Sequence, residues 1–312
     1  MTNPMRILTT IEELADIPGP VCVAIGVFDG VHRGHEALIH RVIAEAKAVH
    51  GTAVVLTFDP HPTRILRPDR APRLLTSRAH KERLIAALDC PVLLVVKFDA
   101  EFAAQSPTAF IEALARPKNA LRCLCVGHQW AFGRQRAGNV DLLRTLGESL
   151  RFATVEIEPV CEGGETISST RIRRAIEKGD FSRAKELLGR EYTILGTVQH
   201  GAQLGGKIGF PTANLAAHNE QFPPDGVYAV SARLRGETHR GVANIGTRPT
   251  VDGESGRILE VHIFDYTDDC YGEEMEVRFI SYLRAEKKFA SIDALKEQIA
   301  RDVAEARQIG GL

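Results

Sequence analysis

Two histidines separated by two residues indicate a site that could stabilise negative charge on a phosphate. His32 and His35 lie in the segment GVFDGVHRGH, residues 26–35. Imidazole N–H groups can donate hydrogen bonds to a phosphoryl group whose charge builds up in a transition state. Gly30 and Gly34 remove side chains where a phosphate would have to come close. The alternative is that both histidines are ordinary surface residues at the start of a helix.

The elements on either side of this segment would position both imidazoles at an anion site. Residues 21–25 form a continuous apolar run, which is typical of a buried parallel strand. After the segment, apolar residues recur at helical spacing: Leu38, Ile39, Val42, Ile43 and Ala46. A glycine-rich turn therefore leads from a strand into a helix N-terminus, where free backbone N–H groups and the helix dipole attract anions.

Composition restricts the class of protein. The chain has 312 residues, which is enough for two domains with separate cores. Its net charge of −1 gives no basic surplus for nucleic acid or an anionic membrane. Residues 1–20 lack the apolar core of a signal peptide, and no apolar run reaches membrane-spanning length. Cys123 and Cys125 have no partners at zinc spacing. We expect a cytoplasmic protein with reduced thiols, without nucleic-acid or membrane partners, and predict no oligomeric state.

Strands and helices alternate over residues 1–187. The predicted strands are residues 21–27, 53–58, 92–96, 121–126 and 152–157, and helices are predicted at 77–88, from Ser106-Pro107 onward, and at 139–149. This alternation is typical of a doubly wound parallel α/β sheet. Such sheets bind ligands at the carboxyl ends of their strands, which is where the His32/His35 turn falls.

Residues 188–312 follow a different pattern. Apolar residues alternate with a period of two over 227–234, 258–264 and 277–281, which predicts an antiparallel sheet or small β-barrel. A closing helix follows, with Ile292, Leu295, Ile299 and Val303 on one face. We therefore predict two domains, 1–187 and 188–312.

The sequence His32-Arg33-Gly34-His35 has the HxGH form of nucleotidyltransferases, which class I aminoacyl-tRNA synthetases share in outline. In such a site an oxyanion attacks the α-phosphorus of a nucleotide and pyrophosphate leaves, so the protein supplies positioning and charge stabilisation. A tRNA-charging enzyme fits poorly, because the chain is short and lacks both a KMSKS-like lysine loop and a basic anticodon-binding surface.

Three further segments indicate which molecule accepts the nucleotidyl group. They are TFDPHP at 57–62, VGHQWAFG at 126–133 and ISSTRIR at 167–173. Together with GVFDGVHRGH they resemble the FMN adenylyltransferase module of the prokaryotic bifunctional riboflavin kinase/FMN adenylyltransferases, also called FAD synthetases. The resemblance covers nearly the whole chain, with its motifs in the right order.

This resemblance implies an ATP site and a flavin site in the first domain. The implied ATP-binding residues are Gly26, Phe28, Asp29, His32, Gly34, His35, Gly127, Gln129, Ser169, Thr170 and Arg171, and the implied flavin-binding residues are Phe58, His61 and Pro62. Serine and threonine at a helix start offer hydroxyls and arginine offers a bidentate phosphate clamp, although ordinary helix capping would also explain residues 168–170. The chain departs from the family at Gln129, where Asp or Asn is usual, and at Trp130, where Phe is usual.

A glycine-rich segment marks the second predicted site. Residues 201–208, GAQLGGKI, nearly spell a P-loop, but Ile208 replaces the required hydroxyl and residues 209–211 cannot open a helix. The following GFPTAN, residues 209–214, resembles the signature of riboflavin kinase. This resemblance implies that Thr212 and Asn214 bind Mg²⁺ and ATP phosphates, since oxygen ligands suit Mg²⁺. It also implies ATP contacts from Gly205, Lys207 and Gly209, while Gly206 stands where an arginine is common.

Glu260 is the predicted base of the second site. It is out of phase with Leu259 and Val261, so it faces the opposite side of its strand. By resemblance, it accepts the proton of the riboflavin 5′-hydroxyl as that oxygen attacks the γ-phosphorus of ATP. The alternative is a solvated carboxylate on the barrel exterior. Predicted flavin contacts here, also by resemblance, are Gly226, Tyr228 and Arg284.

The resemblance implies an enzyme with two active sites that uses ATP and Mg²⁺. One site phosphorylates riboflavin to FMN, and the other adenylylates FMN to FAD. Two alternatives stay open: a working kinase with an impaired adenylyltransferase, suggested by Gln129 and Trp130, and a non-enzymatic flavin- or nucleotide-binding regulator.

Overall fold

The computed structural model describes residues 4–116, 121–128, 130–201, 204–249 and 255–309. Two compact units divide the chain: the first comprises Met1–Pro72 and Arg78–Ser168, and the second comprises Arg73–Ser77 and Ser169–Leu312. No helix in these described ranges is both long and apolar enough to cross a membrane. The domain limit between residues 187 and 188 stays a prediction.

The first unit is a parallel sheet with helices around it. Its strands are β1 (Arg6–Leu8), β2 (Val21–Ile25), β3 (Thr52–Asp59), β4 (Val92–Lys97), β5 (Leu121–Gly127) and β6 (Ala153–Ile157), with a small hairpin of β7 (Cys161–Glu162) and β8 (Glu165–Thr166). Its helices are α1 (Arg33–Ala48), α2 (Pro62–Leu66), α3 (Arg78–Ala86), α4 (Ala100–Ala104), α5 (Pro107–Ala115) and α6 (Val140–Leu150). Short 3₁₀ turns occupy Glu12–Asp16, Pro68–Arg70 and Arg134–Arg136.

The strand order of this sheet places a topological switch point beside the histidine segment. The order is β1-β4-β3-β2-β5-β6, and all neighbouring pairs are parallel. From β2 the chain adds β3 and β4 on one side, and later adds β5 and β6 on the other side. The switch point therefore lies between the carboxyl ends of β2 and β5, which is where open α/β sheets bind ligands. This confirms the predicted doubly wound sheet.

The central strand β2 is continuously apolar because both faces of the sheet are covered. Val23 and Ile25 pack in one hydrophobic cluster, whereas Cys22 and Ala24 pack in the cluster on the opposite face. Every residue of β2 is buried. Parallel strands covered on both faces show this unbroken apolar pattern rather than an alternating one.

Local capping fixes the helix starts that the sequence predicts. Ser106 accepts a hydrogen bond from the N–H of Ala109 at 3.1 Å, and α5 begins directly after it with Pro107. Asn139 accepts from the N–H of Leu142 at 2.9 Å and caps α6. Both side chains satisfy backbone donors that the first turn of a helix leaves unpaired.

The second unit is a closed antiparallel barrel with a terminal helix. Its strands are β9 (Thr193–Gln199), β10 (Ala213–Ala217), β11 (Gly226–Leu234), β12 (Glu237–Pro249), β13 (Ser255–Ile263) and β14 (Glu274–Arg284), and its helices are α7 (Ser169–Glu177), α8 (Phe181–Leu188), α9 (Leu204–Lys207) and α10 (Ile292–Gln308). The strands close in the order β10-β13-β12-β11-β14-β9. This confirms the predicted barrel, and strand β10 after residue 212 agrees with the exclusion of a P-loop.

Helix α10 covers part of the outer surface of the barrel. A small cluster of Ala229, Val242, Phe264 and Ala306 is buried there, and Val303 packs against it. Strand β11 is consequently buried on both faces, apart from Arg233. Helix α10 therefore packs against the barrel as expected, and it also provides one wall of the cavity described below.

Candidate functional sites

The two histidines of the first unit form one stacked pair at the start of α1. His32 is the N-cap, and its Nδ1 accepts a hydrogen bond from the backbone N–H of His35 at 3.3 Å. The two rings stack with centroids 3.6 Å apart and planes 15° from parallel. Because Nδ1 is an acceptor, a neutral His32 carries its proton on Nε2, which makes that nitrogen a donor.

The turn that leads into this pair has an unusual backbone. We call residues 26–31 the histidine turn. Phe28 has φ 52°, Gly30 has φ 83° and Val31 has φ 37°, all in the left-handed region. Non-glycine residues hold such angles only when their surroundings enforce them. Phe28 and Val31 are fully buried, and the Phe28 ring lies edge-on to His35 with centroids 5.2 Å apart. The core therefore holds the turn that positions both imidazoles.

Glycines near the turn make room for side chains. A Cβ added at Gly34 would lie 3.2 Å from the His32 ring, and one added at Gly26 would lie 3.0 Å from the Phe28 ring. Any side chain at position 34 would therefore press on the His32 ring, so Gly34 makes room for the stacked pair. At Gly127 an added Cβ would meet nothing within 4 Å, so the carboxyl end of β5 is open.

The other predicted ATP-binding residues of this site are placed as follows. Phe28 and Asp29 are only 0% and 2% exposed, main chain included. Ser169, Thr170 and Arg171 form the first turn of α7, in the second compact unit. Gln129 lies outside the described residues. The roles of these residues in ATP binding stay predictions.

The predicted flavin-binding residues lie at the end of β3, next to an aromatic cluster. Phe58 contacts Phe98 and Phe102, with ring centroids 5.6 and 5.8 Å apart. His61 caps α2 by accepting from the N–H of Thr63 at 3.2 Å, and Pro62 is the first helical residue. Further along the same cluster, Trp130 stacks on Phe132 with centroids 4.2 Å apart. These contacts fix Phe58, but its role toward flavin stays a prediction.

The second unit contains a cavity of about 360 Å³, which we call the barrel cavity. Five predicted site residues line it: Gly205, Thr212, Asn214, Glu260 and Arg284. Apolar side chains of the barrel, of α10 and of the segment between them provide other walls: Val227, Val242, Phe289, Leu295 and Ile299. The cavity thus combines oxygen-bearing side chains with an apolar surface, as binding sites for aromatic substrates do.

Strand register places the polar residues of the barrel cavity side by side. Glu260 on β13 lies directly opposite Asn214 on β10 and Asn244 on β12. Residues directly opposite each other on neighbouring strands point to the same face. We call Asn214, Glu260 and Asn244 the polar row. Leu259 and Val261 are fully buried on the other face, so Glu260 faces the cavity and not the barrel core.

Glycines of the second site allow a loop to approach the predicted phosphate ligands. A Cβ added at Gly201 would overlap the side chain of Asn214, and one added at Gly205 would overlap the carbonyl oxygen of Phe210 and come within 3.1 Å of Thr212 Oγ1. At Gly206 an added Cβ would meet nothing within 4 Å. Only the first two glycines are required by close packing, which the sequence pattern alone does not distinguish.

Arg284 is fixed by an ion pair between the barrel and α10. Its Nε donates to Asp302 Oδ1 at 2.9 Å, and its Nη2 donates to Oδ2 at 2.7 Å. The side chains of Arg284 and Asp302 are only 15% and 4% exposed. Asn244 Nδ2 donates to Glu286 Oε1 at 3.2 Å. Asn244 and Asp302 are not among the residues predicted from the sequence, although Asn244 shares the alternating pattern that marks Glu260.

Three of the predicted residues do not line the barrel cavity. Tyr228 is fully buried, its hydroxyl donates to the carbonyl of Pro224 at 2.5 Å, and burial raises its pKa. Gly226 has φ 149°, and an added Cβ would lie 2.6 Å from the carbonyl oxygen of Arg284, so this glycine serves the backbone. Gly209 lies outside the cavity lining as well. The geometry does not support flavin contacts for Tyr228 and Gly226, and these stay predictions. The side chain of Lys207 lies outside the described part of the chain.

The described residues contain no group of three or more His, Cys, Asp or Glu side chains that could hold a metal ion. Thr212 and Asn214 instead offer a hydroxyl and an amide oxygen in the barrel cavity. Mg²⁺ prefers oxygen ligands and usually keeps water and substrate phosphates in its coordination shell. This donor set therefore fits a magnesium ion that arrives with a nucleotide.

Comparisons with known proteins identify a family for each part of the chain. A family model described as FAD synthetase matches residues 15–171, and one described as riboflavin kinase matches residues 188–310. The bifunctional riboflavin kinase/FMN adenylyltransferase of Escherichia coli strain K12 is 41% identical over 310 residues, which is 99% of each chain. The protein of the same name from Haemophilus influenzae is 38% identical and covers 91% of this chain and 92% of its own.

One solved structure shares the fold over nearly the whole chain. It is a crystal structure described as a macrolide-efflux protein from Streptococcus pneumoniae, with a TM-score of 0.85 and 30% identity, and the match covers 98% of this chain and 100% of that one. The word efflux describes that protein alone. The curated relatives and both family models instead agree on the two flavin activities. This chain belongs to the family of bifunctional riboflavin kinase/FMN adenylyltransferases.

Proposed function

We propose that this chain converts riboflavin to FAD in two ATP-dependent steps at two separate sites. The barrel cavity phosphorylates riboflavin to FMN, and the site at the histidine turn adenylylates FMN to FAD with release of pyrophosphate. The observation that carries this proposal is that Thr212, Asn214 and Glu260 share one cavity in the second unit. In the first unit, His32 and His35 stack at the start of α1.

In the kinase step, Glu260 is the general base. Its carboxylate accepts the proton of the riboflavin 5′-hydroxyl as that oxygen forms a bond to the γ-phosphorus of ATP and the bond to ADP breaks. The apolar walls supplied by Val227, Leu295 and Ile299 suit the flat ring of the flavin. General-base assistance of this kind contributes roughly 10²–10⁴ in rate.

Thr212 and Asn214 would hold Mg²⁺ together with the ATP phosphates. A bound magnesium ion would neutralise phosphate charge at this end of the cavity. Close packing of Gly201 and Gly205 against Asn214 and Thr212 keeps both oxygen ligands in place.

In the adenylyl-transfer step, His32 and His35 stabilise charge on the phosphates. An oxygen of the FMN phosphate attacks the α-phosphorus of ATP, and the pyrophosphate leaves without a covalent enzyme intermediate. His32 Nε2 is a donor because its Nδ1 is used as the cap of α1. The N-terminus of this 16-residue helix adds backbone donors and the positive end of its dipole.

The proposal assigns the adenylyltransferase to residues 1–187 and the kinase to residues 188–312. The small molecules riboflavin, FMN and ATP are the substrates. All six cysteines are free, which supports the predicted reducing, cytoplasmic location.

Product analysis of two variants tests this assignment. With riboflavin, ATP and Mg²⁺ supplied, His32→Ala should make FMN but no FAD. Glu260→Ala should make no FMN from riboflavin, yet should still make FAD from supplied FMN. The flavins are separated by chromatography. Loss of both products in a folded variant, or FAD formation by His32→Ala at the wild-type rate, would contradict the assignment.

A further inference from the structure

A lysine outside the recognised motifs contacts the histidine turn from a neighbouring helix. Lys81 lies on α3, and its Nζ donates to the carbonyl oxygen of Val27 at 2.9 Å. The buried hydroxyl of Thr57, on β3, donates to the same oxygen at 3.0 Å. Two donors from two different elements therefore hold one carbonyl at the start of the turn.

The charges around Lys81 connect it to the same turn. Burial lowers the pKa of Lys81, and the nearby carboxylates of Asp29, Asp59 and Glu82 oppose that shift, while Arg78 adds to it. Asp29 lies in the histidine turn and is only 2% exposed. The carboxylate of Asp29 therefore attracts the ammonium of Lys81, so the two residues interact electrostatically.

The histidine turn needs such support because its backbone is strained. Phe28 and Val31 both have positive φ. His32, the stacking partner of His35, directly follows Val31 in the chain. Angles of this kind persist only when surrounding contacts over-determine them. A shift of the Val27 carbonyl would be transmitted through this short turn to the cap of α1.

We propose that Lys81 is a positioning residue for adenylyl transfer, which fixes the Val27 carbonyl and thereby the orientation of His32 and His35. This inference rests on the proposed function of the first unit. Lys81 acts through the turn and not on the substrate. Its loss should therefore lower the rate of the chemical step and leave the affinity for ATP and FMN nearly unchanged.

The kinetic test compares Lys81→Met with Lys47→Met, which removes an exposed lysine from the last turn of α1. FAD formation from supplied FMN and ATP should lose about tenfold to hundredfold in kcat in Lys81→Met, the size expected for a misplaced catalytic group. KM for both substrates should change by less than about threefold. FMN formation from riboflavin, measured on the same protein, should be unchanged, and an unchanged circular-dichroism spectrum and thermal unfolding curve show that the first unit is folded.

A second measurement does not depend on turnover. In protein with isotopically labelled histidine, the ring signals of His32 and His35 should shift in Lys81→Met and not in Lys47→Met, with assignments from His32→Gln and His35→Gln. This readout tests the inference separately from the proposed function, which wild-type FAD formation tests. Unshifted ring signals would overturn the inference. So would a rise in KM for ATP at unchanged kcat, because it would make Lys81 a phosphate ligand.

Discussion

The two sites of this protein are built in different ways. In the first unit, His32 and His35 belong to one helix turn, and a strained loop of six residues positions them. In the second unit, Asn214, Glu260 and Asn244 come from three strands, and only the register of the barrel aligns them. The first arrangement is local and depends on the turn, whereas the second depends on how distant strands and α10 pack together.

The largest expected effect is a loss of stability in the second unit that leaves the first unit unchanged. Asp302→Asn removes the charge that pairs with buried Arg284, and breaking a buried ion pair costs about 3–5 kcal/mol in the free energy of unfolding. Asp265→Asn is the matched control. Asp265 also pairs with a residue of α10, Arg307, but the Asp265 side chain is 77% exposed. Solvent screens an exposed pair, so this control should leave the free energy of unfolding nearly unchanged.

Urea titration of both activities measures this difference. In Asp302→Asn, FMN formation should be lost at a lower urea concentration than in wild type, while FAD formation from supplied FMN should persist. Loss of both activities at one urea concentration would show that the polar row and the histidine turn are not independently supported.

A smaller effect is expected from the glycine loop beside the polar row. Gly205→Ala places a Cβ against the carbonyl of Phe210, so the loop near Thr212 must move. We expect kcat/KM of the kinase to fall about tenfold to hundredfold, as for a displacement of a positioning group. Gly206→Ala should change it by less than about twofold, since nothing lies within 4 Å of the added Cβ. Equal effects of the two substitutions on riboflavin phosphorylation would contradict close packing at Gly205.

Local features of the chain could be predicted from the sequence because they depend on nearby residues. The unbroken apolar run of β2 predicts a strand covered on both faces, and Ser106 and Asn139 predict helix starts by capping. The alternation around Glu260 predicts which side of the strand it faces, and the barrel cavity lies on that side. The spacing of His32 and His35 predicts that both lie at the start of α1, whereas the stacking of their rings is seen only in the structure.

Features that depend on distant packing could not be predicted. The pairing of Arg284 with Asp302 requires knowledge of where α10 lies on the barrel. Tyr228 alternates in the same way as a cavity residue would, but β11 is covered on both faces, so alternation does not show which side holds a ligand. Residues 73–77 pack with the second unit, because Asn219 donates to the carbonyl of Leu75, although they precede α3 of the first unit in the chain.

The most direct test of two separable sites is complementation between two inactive variants. His32→Ala and Glu260→Ala are assayed alone and mixed, with riboflavin, ATP and Mg²⁺ supplied. Neither variant alone should make FAD from riboflavin, whereas the mixture should, because FMN released by the kinase of one protein reaches the adenylyltransferase of the other. FAD formation by either variant alone, or a mixture that makes FMN but no FAD while wild type makes both, would contradict this account.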